Sequence, residues 1–250
     1  MTQTEIYVKS TIDGTMQPSL LYASPNKNRP LLVGLHSWSY DRFNQVDYML
    51  PYAEKYDFNL LLPEFRGPNL STNPDCTKAC GSIYAKQDII DATDYAVKEC
   101  EADNSGVFLL GGSGGGHMAL LIAGYKPERY SVIAAFAGIT DLSLWKDEDY
   151  HYTEHILTCC SNSMEEMMKR SPVSYVDTIK NANLKIFHGK TDGIVPVNHA
   201  KRLYDMINEK YPDSRVYLDI FDGKHDMDLE AAMYWILSQY KGNIKKEITS

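Results

Sequence analysis

Residues 106–124 read GVFLLGGSGGGHMALLIAG, an apolar run that meets a cluster of glycines interrupted once, by Ser113. The residues before the glycines are typical of a buried strand, and those after them have the composition of a buried helix. Within the cluster, Gly111, Ser113 and Gly115 fit the pattern G-x-S-x-G. Between a strand and a helix, this pattern is typical of a nucleophilic serine on a sharp turn.

The spacing of the glycines has a steric reason. A serine that joins a strand directly to a helix takes strained backbone angles, and its neighbours two residues away must be small for the turn to close. Ser113 is therefore predicted to project its hydroxyl above the sheet. The backbone N–H of Gly114 would then lie at a helix N-terminus, where a donor stabilises an oxyanion.

The same glycines admit two other interpretations. Gly114, Gly116 and Ala119 satisfy the dinucleotide-binding pattern G-x-G-x-x-A, with Asp141 at about the distance expected of a ribose contact. The predicted strand ends ahead of Gly114, however, whereas a dinucleotide turn begins directly at a strand end. A nucleotide-binding oxidoreductase is therefore one alternative, and a flexible glycine turn without a function is another.

A serine hydroxyl is a poor nucleophile unless a base removes its proton and an acid orients that base. In G-x-S-x-G proteins the acid and then the histidine follow the serine along the chain. Asp192 follows the apolar run LKIFHG, and His225 lies between the run RVYLDIF and the last helical segment. Both are predicted at the C-terminal ends of strands, where open α/β sheets build their sites. Asp141 is an alternative acid, whereas His188 and His199 are predicted to be structural or exposed.

The segment LHSWSYD, residues 35–41, is the expected source of a second oxyanion donor. His36 is predicted to support this loop, and the backbone N–H of Trp38 is predicted to point at the oxyanion. The ring of Trp38 can pack against the protein at the same time, because the backbone is the donor.

Strand and helix candidates alternate along most of the chain. Short apolar runs bounded by Gly, Pro, Asn or Asp are predicted strands: EIYVKSTI, SLLYA, PLLVGLHS, FNLLLPEF, GVFLLGG, YSVIAAFAG, LKIFHG and RVYLDIF. Helical periodicity marks residues 44–56, 85–101, 114–125, 197–210 and 228–240. Most of the runs are continuously apolar, as in parallel strands buried on both faces. The pattern predicts an α/β fold with a doubly wound, mostly parallel sheet, helices on both faces and an N-terminal antiparallel hairpin.

One segment, at about residues 139–178, breaks this rhythm with aromatic and helical material but no clear strand. Long inserts between sheet elements are often lids or binding elements. We therefore predict one domain, residues 1–250, with a lid-like insertion. Trp145, Tyr150 and Tyr152 in this insertion are predicted to contribute to the substrate pocket.

The composition excludes several classes of protein. A net charge of −8 and a pI near 5.4 argue against a nucleic-acid surface, which needs clustered Lys and Arg. Only the tail KGNIKKE, residues 241–247, is locally basic, as is common at a solvated helix end. No stretch approaches the roughly 20 apolar residues that cross a bilayer, and the N-terminus lacks a secretory pattern. No membrane association and a cytoplasmic location are therefore predicted.

The five cysteines are predicted to be free thiols, with Cys76 and Cys80 as the pair that could join if oxidised. His151, His155 and Cys159 recur every four residues, so on a helix they would share a face able to bind zinc. Packing of these side chains within a lid explains the segment without a metal. We therefore predict neither a metal ion nor another cofactor.

Three segments carry a family resemblance: GGSGGGHMALL (residues 111–121), SPVSYVDTIKNANLKIFHGKTDGIVPV (residues 171–197) and DGKHD (residues 222–226). They resemble the nucleophile, acid and histidine segments of the α/β-hydrolase superfamily. Within it, the likeness is to serine hydrolases similar to prolyl oligopeptidase and dienelactone hydrolase, and it covers roughly residues 30–240.

The resemblance implies that Ser113, Asp192 and His225 form a catalytic triad and that Trp38 and Gly114 provide the oxyanion hole. Many members of the family have a bulky residue after the nucleophile, whereas this chain has Gly114. This difference predicts a wider pocket floor or a looser turn.

The implied activity is that of a serine hydrolase acting through an acyl-enzyme. A small carboxylic ester, such as an acylated sugar or a plant-derived ester, is the predicted substrate and partner, because an alkoxide leaves more easily than an amine. The best-known peptidases of the family add a large β-propeller, for which this chain has no room. A single-domain serine peptidase is the alternative, and a non-catalytic binding protein of this fold is disfavoured by the complete set of Ser, Asp and His. The sequence is compatible with a homo-oligomer.

Overall fold

The structure is a computed structural model that describes residues 1–242. Residues 243–250, which hold most of the basic tail, lie outside the described residues. Eight strands occur in the described part of the chain: β1 (Thr2–Lys9), β2 (Met16–Ala23), β3 (Leu31–Leu35), β4 (Asn59–Pro63), β5 (Val107–Gly112), β6 (Val132–Phe136), β7 (Leu184–Gly189) and β8 (Val216–Phe221). Each of them overlaps a predicted apolar run.

The strands form one sheet in the order β1-β2-β4-β3-β5-β6-β7-β8. β2 pairs antiparallel with both β1 and β4, and all other neighbours pair in parallel. The central strands β3, β5 and β6 are buried along their whole length, as expected of strands covered on both faces. The mostly parallel sheet and the N-terminal antiparallel hairpin are therefore confirmed.

Nine α-helices lie within residues 1–242: α1 (Val46–Tyr56), α2 (Ile83–Glu99), α3 (Gly114–Tyr125), α4 (Leu142–Glu148), α5 (Tyr150–Cys159), α6 (Met164–Lys169), α7 (Val176–Ile179), α8 (Asn198–Lys210) and α9 (Leu229–Gln239). The apolar faces of α1 and α9 pack on one side of the sheet, and those of α2, α3 and α8 pack on the other. The four-residue spacing of Leu203 and Ile207, for example, places both on the buried face of α8. Helices on both faces of the sheet are thus confirmed.

The segment between β6 and β7 is helical and contains α4, α5, α6 and α7. It packs against the loop after β3 and residues 76–80 through a separate apolar cluster. His117 of α3 donates from Nε2 to the carbonyl of Arg170 at 2.7 Å, and the Arg170 guanidinium reaches the carbonyls of Thr77 and Ala79. The predicted helical insertion is therefore present and fastened to α3, while its role as a lid stays a prediction.

All five cysteines are free thiols. Four of them, Cys76, Cys80, Cys159 and Cys160, belong to the apolar cluster that joins α5 to residues 76–80. Hydrogen bonds to Cys159 and Cys160, together with burial, raise the pKa of the Cys80 thiol. Among the described residues, no helix is long and apolar enough to span a membrane.

Candidate active site

Ser113 occupies the sharp turn between β5 and α3. Its backbone angles, φ 56° and ψ −118°, are strained for a residue other than glycine. The N–H of Ser113 donates to the carbonyl of Phe136 at 2.9 Å, which fixes the turn against β6. The strained conformation predicted for this serine is therefore present.

The glycines around Ser113 are required by close backbone contacts. A Cβ on Gly111 would overlap the carbonyl of Gly115, and a Cβ on Gly116 would overlap the carbonyl of Phe136. On Gly115, a Cβ would lie 2.9 Å from the carbonyl oxygen of His36. These glycines let α3 approach the sheet, which accounts for them without a bound nucleotide.

Gly114 brings the start of α3 against the loop after β3. A Cβ on Gly114 would overlap the backbone nitrogen of Trp38 and lie 2.6 Å from its Cα. The backbones of Trp38 and Gly114 are therefore close neighbours beside Ser113. Among the described residues, no group accepts a hydrogen bond from the Trp38 N–H.

The loop that carries Trp38 is held from several sides. The carbonyl of Trp38 accepts a hydrogen bond from the Asn69 N–H at 2.8 Å, and His36 Nε2 donates to the carbonyl of Glu64 at 2.7 Å. The ring of Trp38 is buried, stacks on His117 and meets Trp145 edge to face at 5.1 Å. His36 thus supports the loop, and the Trp38 ring packs as expected.

Asp192 and His225 meet at the C-terminal ends of β7 and β8. His225 donates from Nδ1 to Asp192 Oδ2 at 2.8 Å, which leaves its Nε2 as an acceptor. The other carboxylate oxygen of Asp192 accepts from the N–H groups of Ile194 at 2.9 Å and Val195 at 3.0 Å. The carboxylate is therefore fully buried but satisfied by donors on both oxygens.

A second histidine shares this carboxylate. Nε2 of His188, at the end of β7, lies 3.2 Å from Asp192 Oδ2 and 2.8 Å from the carbonyl of Val195. Both neighbours are acceptors, so Nε2 carries the proton. Burial raises the pKa of Asp192, but the hydrogen bonds from His188 and His225 outweigh burial and hold that pKa well below its ordinary value.

The loops that carry Asp192 and His225 touch through their backbones. A Cβ on Gly189, at the end of β7, would overlap the carbonyl of Lys224. Only a glycine permits this approach, which sets the separation of the two loops. The contact between Asp192 and His225 is therefore built into the ends of β7 and β8.

A cavity of about 370 Å³ opens beside Ser113 and is also lined by His225. Its other lining residues come from the loop after β3, the start of α1 and the ends of β5, β6 and β8: Ser37, Asn44, Gln45, Tyr48, Gly112, Phe136, Ala137, Asp226 and Met227. The structure thus brings Ser113 and His225 to one space, with Asp192 behind the histidine.

The three aromatic residues predicted for the substrate pocket do not line this cavity. Trp145 is buried, stacks on Tyr152 at 4.4 Å and donates from Nε1 to the carbonyl of Ile194 at 3.2 Å. Tyr150 is 80% exposed at the start of α5. Trp145 and Tyr152 therefore pack the insertion onto Trp38.

The alternative acid and the considered metal ligands also have other contacts. Asp141 caps α4 and pairs with Arg202 at 2.8 Å. The side chain of His151 is hydrogen-bonded to Asp149, and that of His155 is hydrogen-bonded to Ser71. The thiol of Cys159 is buried. Within the part of the chain that the structure describes, no three His, Cys, Asp or Glu side chains are arranged to hold a metal ion.

Comparison with known proteins places this arrangement in a family. The sequence model of the prolyl oligopeptidase family matches residues 83–239, which include Ser113, Asp192 and His225. The chain belongs to the prolyl oligopeptidase family. This family consists of serine hydrolases of the α/β-hydrolase superfamily, so the resemblance inferred from the sequence is confirmed.

The relatives of this member of the prolyl oligopeptidase family include peptidases and an esterase. It is 25% identical to the acylamino-acid-releasing enzyme of Arabidopsis thaliana over 82% of this chain and 29% of that enzyme. It is 24% identical to feruloyl esterase B of Neurospora crassa over 58% of this chain and 51% of that protein. The chain thus spans less than a third of the length of the Arabidopsis enzyme.

Solved structures show the same fold at low sequence identity. A puromycin-hydrolysing peptidase of Mycobacterium tuberculosis superimposes with a TM-score of 0.78 at 15% identity, over 96% of this chain and 40% of that one. An esterase of Pyrococcus furiosus has a TM-score of 0.71 at 14% identity, over 96% of this chain and 92% of its own. The fold of this member of the prolyl oligopeptidase family is therefore shared by a peptidase and an esterase.

Sequence reasoning missed two features of the site. His188 was predicted to be structural or exposed; it is buried, but its contact with Asp192 was not predicted. Its spacing of four residues from Asp192, across the end of a strand, was the available signal. The cavity wall formed by Asn44, Gln45 and Tyr48 had no sequence motif. Its position depends on how α1 packs on the sheet.

Proposed function

We propose that the protein is a serine hydrolase that works through an acyl-enzyme, with Ser113 as nucleophile, His225 as base and Asp192 as the residue that orients the base. One observation carries the proposal: His225, which is hydrogen-bonded to Asp192 at 2.8 Å, lines the same cavity as Ser113. Because Asp192 holds the proton on Nδ1, Nε2 of His225 is free to receive the serine proton.

In the proposed reaction, Ser113 Oγ bonds to the substrate carbonyl carbon while its proton moves to His225 Nε2. The carbonyl oxygen becomes an oxyanion that accepts hydrogen bonds from the backbone N–H groups of Trp38 and Gly114. The bond to the leaving group then breaks, and the leaving oxygen takes the proton from His225. Water adds to the acyl-enzyme by the same steps, which releases the carboxylic acid and restores the Ser113 hydroxyl.

The proposed substrate is a small carboxylic ester. The cavity of about 370 Å³ is at the small end of ligand sites and holds an acyl group of modest size. An ester also demands less of His225 than an amide, because an alkoxide leaves more readily than an amine. The relationship to feruloyl esterase B supports this choice.

A peptidase that releases an N-acylated amino acid is the second candidate. The acylamino-acid-releasing enzymes of Arabidopsis thaliana and Rattus norvegicus are 25% and 26% identical to this chain. In a feruloyl ester Ser113 would attack the carbonyl carbon of the feruloyl group, and in an acylated peptide it would attack the carbonyl carbon of the acylated residue, with the amine of the following residue as the leaving group. The two candidates therefore differ in the acyl group and the leaving group, and not in the roles of Ser113, His225 and Asp192.

Fluorophosphonate labelling tests the nucleophile. We expect a single covalent adduct on Ser113, located by peptide mass spectrometry, and no adduct in Ser113→Ala. Ser37→Ala is the matched control, because Ser37 lines the same cavity. Labelling of Ser113→Ala at the wild-type rate would contradict the assignment.

A substrate panel decides the reaction class. The kcat/KM values for 4-nitrophenyl acetate, 4-nitrophenyl butyrate, an acetylated sugar and a feruloylated sugar are compared with those for aminoacyl, N-acetylaminoacyl and dipeptidyl anilides. We expect the natural-type esters to exceed every anilide. An anilide that equals or exceeds all of the esters would replace the esterase with the peptidase.

A further inference from the structure

Two side chains in the wall of the cavity beside Ser113 take no part in the steps proposed for hydrolysis. Tyr48 lies in the first turn of α1, and Asp226 follows His225 directly in the loop between β8 and α9. Asp226 is exposed, and so is 58% of Tyr48, so a molecule in the cavity can reach both side chains. Their chemistry therefore bears on which substrates the cavity accepts.

The charge of the cavity wall comes from carboxylates. Asp226 supplies the one carboxylate among the lining residues, and no described lining residue is a lysine or an arginine. Asp226 Oδ2 accepts a hydrogen bond from the Lys224 N–H at 3.2 Å, which orients the carboxylate, while the Lys224 side chain does not line the cavity. The pKa of Asp192, behind His225, is held well below its ordinary value, so Asp192 adds a second negative charge. The potential in the cavity therefore favours a cation.

The ring of Tyr48 acts in the same direction as the carboxylate. An aromatic face carries the negative part of the ring quadrupole and attracts an ammonium group placed within about 6 Å of the ring centre. An anionic group in the cavity meets the ring face and the carboxylate of Asp226, which both repel it. A neutral group gains only apolar contact with the ring.

We propose that Tyr48 and Asp226 determine specificity by binding a positively charged ammonium group of the substrate near the scissile carbonyl. This inference rests on the proposed hydrolase function and narrows its substrate class to esters that carry such a cation. The ammonium lies over the ring of Tyr48 and pairs with the exposed carboxylate of Asp226 while Ser113 attacks the carbonyl carbon. Esters with a carboxylate at that place are disfavoured.

Two pairs of esters test the inference, and the members of each pair differ by a quaternary nitrogen in place of a carbon of the same shape. On the alcohol side, acetylcholine is compared with 3,3-dimethylbutyl acetate. On the acyl side, ethyl 4-(trimethylammonio)butanoate is compared with ethyl 5,5-dimethylhexanoate. Each kcat/KM is divided by the rate constant for hydroxide-catalysed hydrolysis of the same ester, which removes differences in intrinsic reactivity. Wild-type enzyme is expected to prefer the cationic member of at least one pair by about 10-fold.

Substitutions test the two contacts separately. Asp226→Asn keeps the shape of the side chain but removes its charge, and Tyr48→Leu keeps an apolar side chain but removes the ring. Each is expected to lower the preference for the cationic ester by about threefold. The matched controls are Asp222→Asn, in the same loop but outside the cavity wall, and Tyr234→Leu, at an exposed position in α9. Both controls should keep the wild-type preference.

The outcomes separate this inference from the proposed function. A wild-type preference near one in both pairs overturns the inference while leaving the hydrolase intact, and this result needs no variant. A preference that survives unchanged in both Asp226→Asn and Tyr48→Leu also overturns it, and one that survives in a single variant overturns the role of that residue. Failure of the proposed function has a different signature, namely no fluorophosphonate adduct on Ser113 and no hydrolysis of any of the four esters.

Discussion

Replacement of Gly114 by alanine tests where the oxyanion donors lie. The added Cβ would be 2.6 Å from Trp38 Cα, whereas ordinary contacts begin at 3.4 Å. The Trp38 backbone would have to retreat by about 1 Å, a displacement that typically costs about 100-fold in rate. It cannot retreat freely, because its carbonyl is bonded to Asn69 and its ring is packed against Trp145. We therefore expect kcat to fall by about 100-fold, or about 3 kcal/mol of transition-state stabilisation.

The assay is steady-state hydrolysis of 4-nitrophenyl acetate, with far-UV circular dichroism and urea unfolding to establish that the variant is folded. Gly193→Ala is the matched control, because a Cβ at Gly193 meets nothing within 4 Å although it follows Asp192 directly. This control is expected to retain wild-type kcat. A folded Gly114→Ala enzyme whose kcat stays within about threefold of wild type would refute the placement of the Trp38 N–H in the oxyanion hole.

Three further predictions follow from the contacts of the site. Ser113→Ala and His225→Ala are each expected to lower kcat by about a million-fold, and Asp192→Asn by about ten-thousand-fold, with the fold retained. A smaller loss of kcat in His225→Ala than in Asp192→Asn would contradict the assigned roles. The pKa of Asp192 is lowered in the folded protein, so its ionised carboxylate stabilises the fold at pH values above about 3.9, the ordinary pKa of an aspartate. This contribution is lost as the pH falls from there through the lowered pKa of the folded state. Urea unfolding at pH 6 and pH 3 should therefore show a larger loss of stability in wild type than in Asp192→Asn, and equal losses would rule this contribution out. Trp145→Ala is expected to lower the free energy of unfolding by about 3–5 kcal/mol, whereas Tyr150→Ala should change it by less than about 0.5 kcal/mol. A Trp145→Ala enzyme that is as stable as wild type, but has an altered KM across acyl chain lengths, would instead support a substrate contact.

The order of strands and helices could be predicted because each element carries its own signal. The strands are continuous apolar runs bounded by turn residues, and the predicted helix at residues 114–125 coincides with α3. The strain at Ser113 was also predictable, since the residues that cause it lie within one turn. Asp192 and His225 were placed together by one topological rule, the position of sites at strand C-terminal ends. Their catalytic roles, and those of Trp38 and Gly114, stay predictions.

The remaining features depend on packing between distant segments. Trp145 was expected in the substrate pocket, but its burial against Trp38 depends on how the insertion meets the loop after β3. The place of Gln45 in the cavity wall depends on where α1 docks on the sheet. Neither arrangement leaves a periodic or spaced pattern in the sequence. An aromatic residue in a helical insertion is equally compatible with an inward and an outward position.

The edge-to-face contact of Trp38 and Trp145 has a spectroscopic consequence. Two of the three tryptophans in the chain are held 5.1 Å apart, one in the loop after β3 and one in α4. Near-UV circular dichroism arises from aromatic rings in fixed surroundings and disappears when specific packing is lost. This pair therefore acts as an internal optical probe of the joint between the insertion and the loop. Undocking of α4 would change the near-UV spectrum while the far-UV spectrum stayed constant, so the state of this contact can be followed in unlabelled protein.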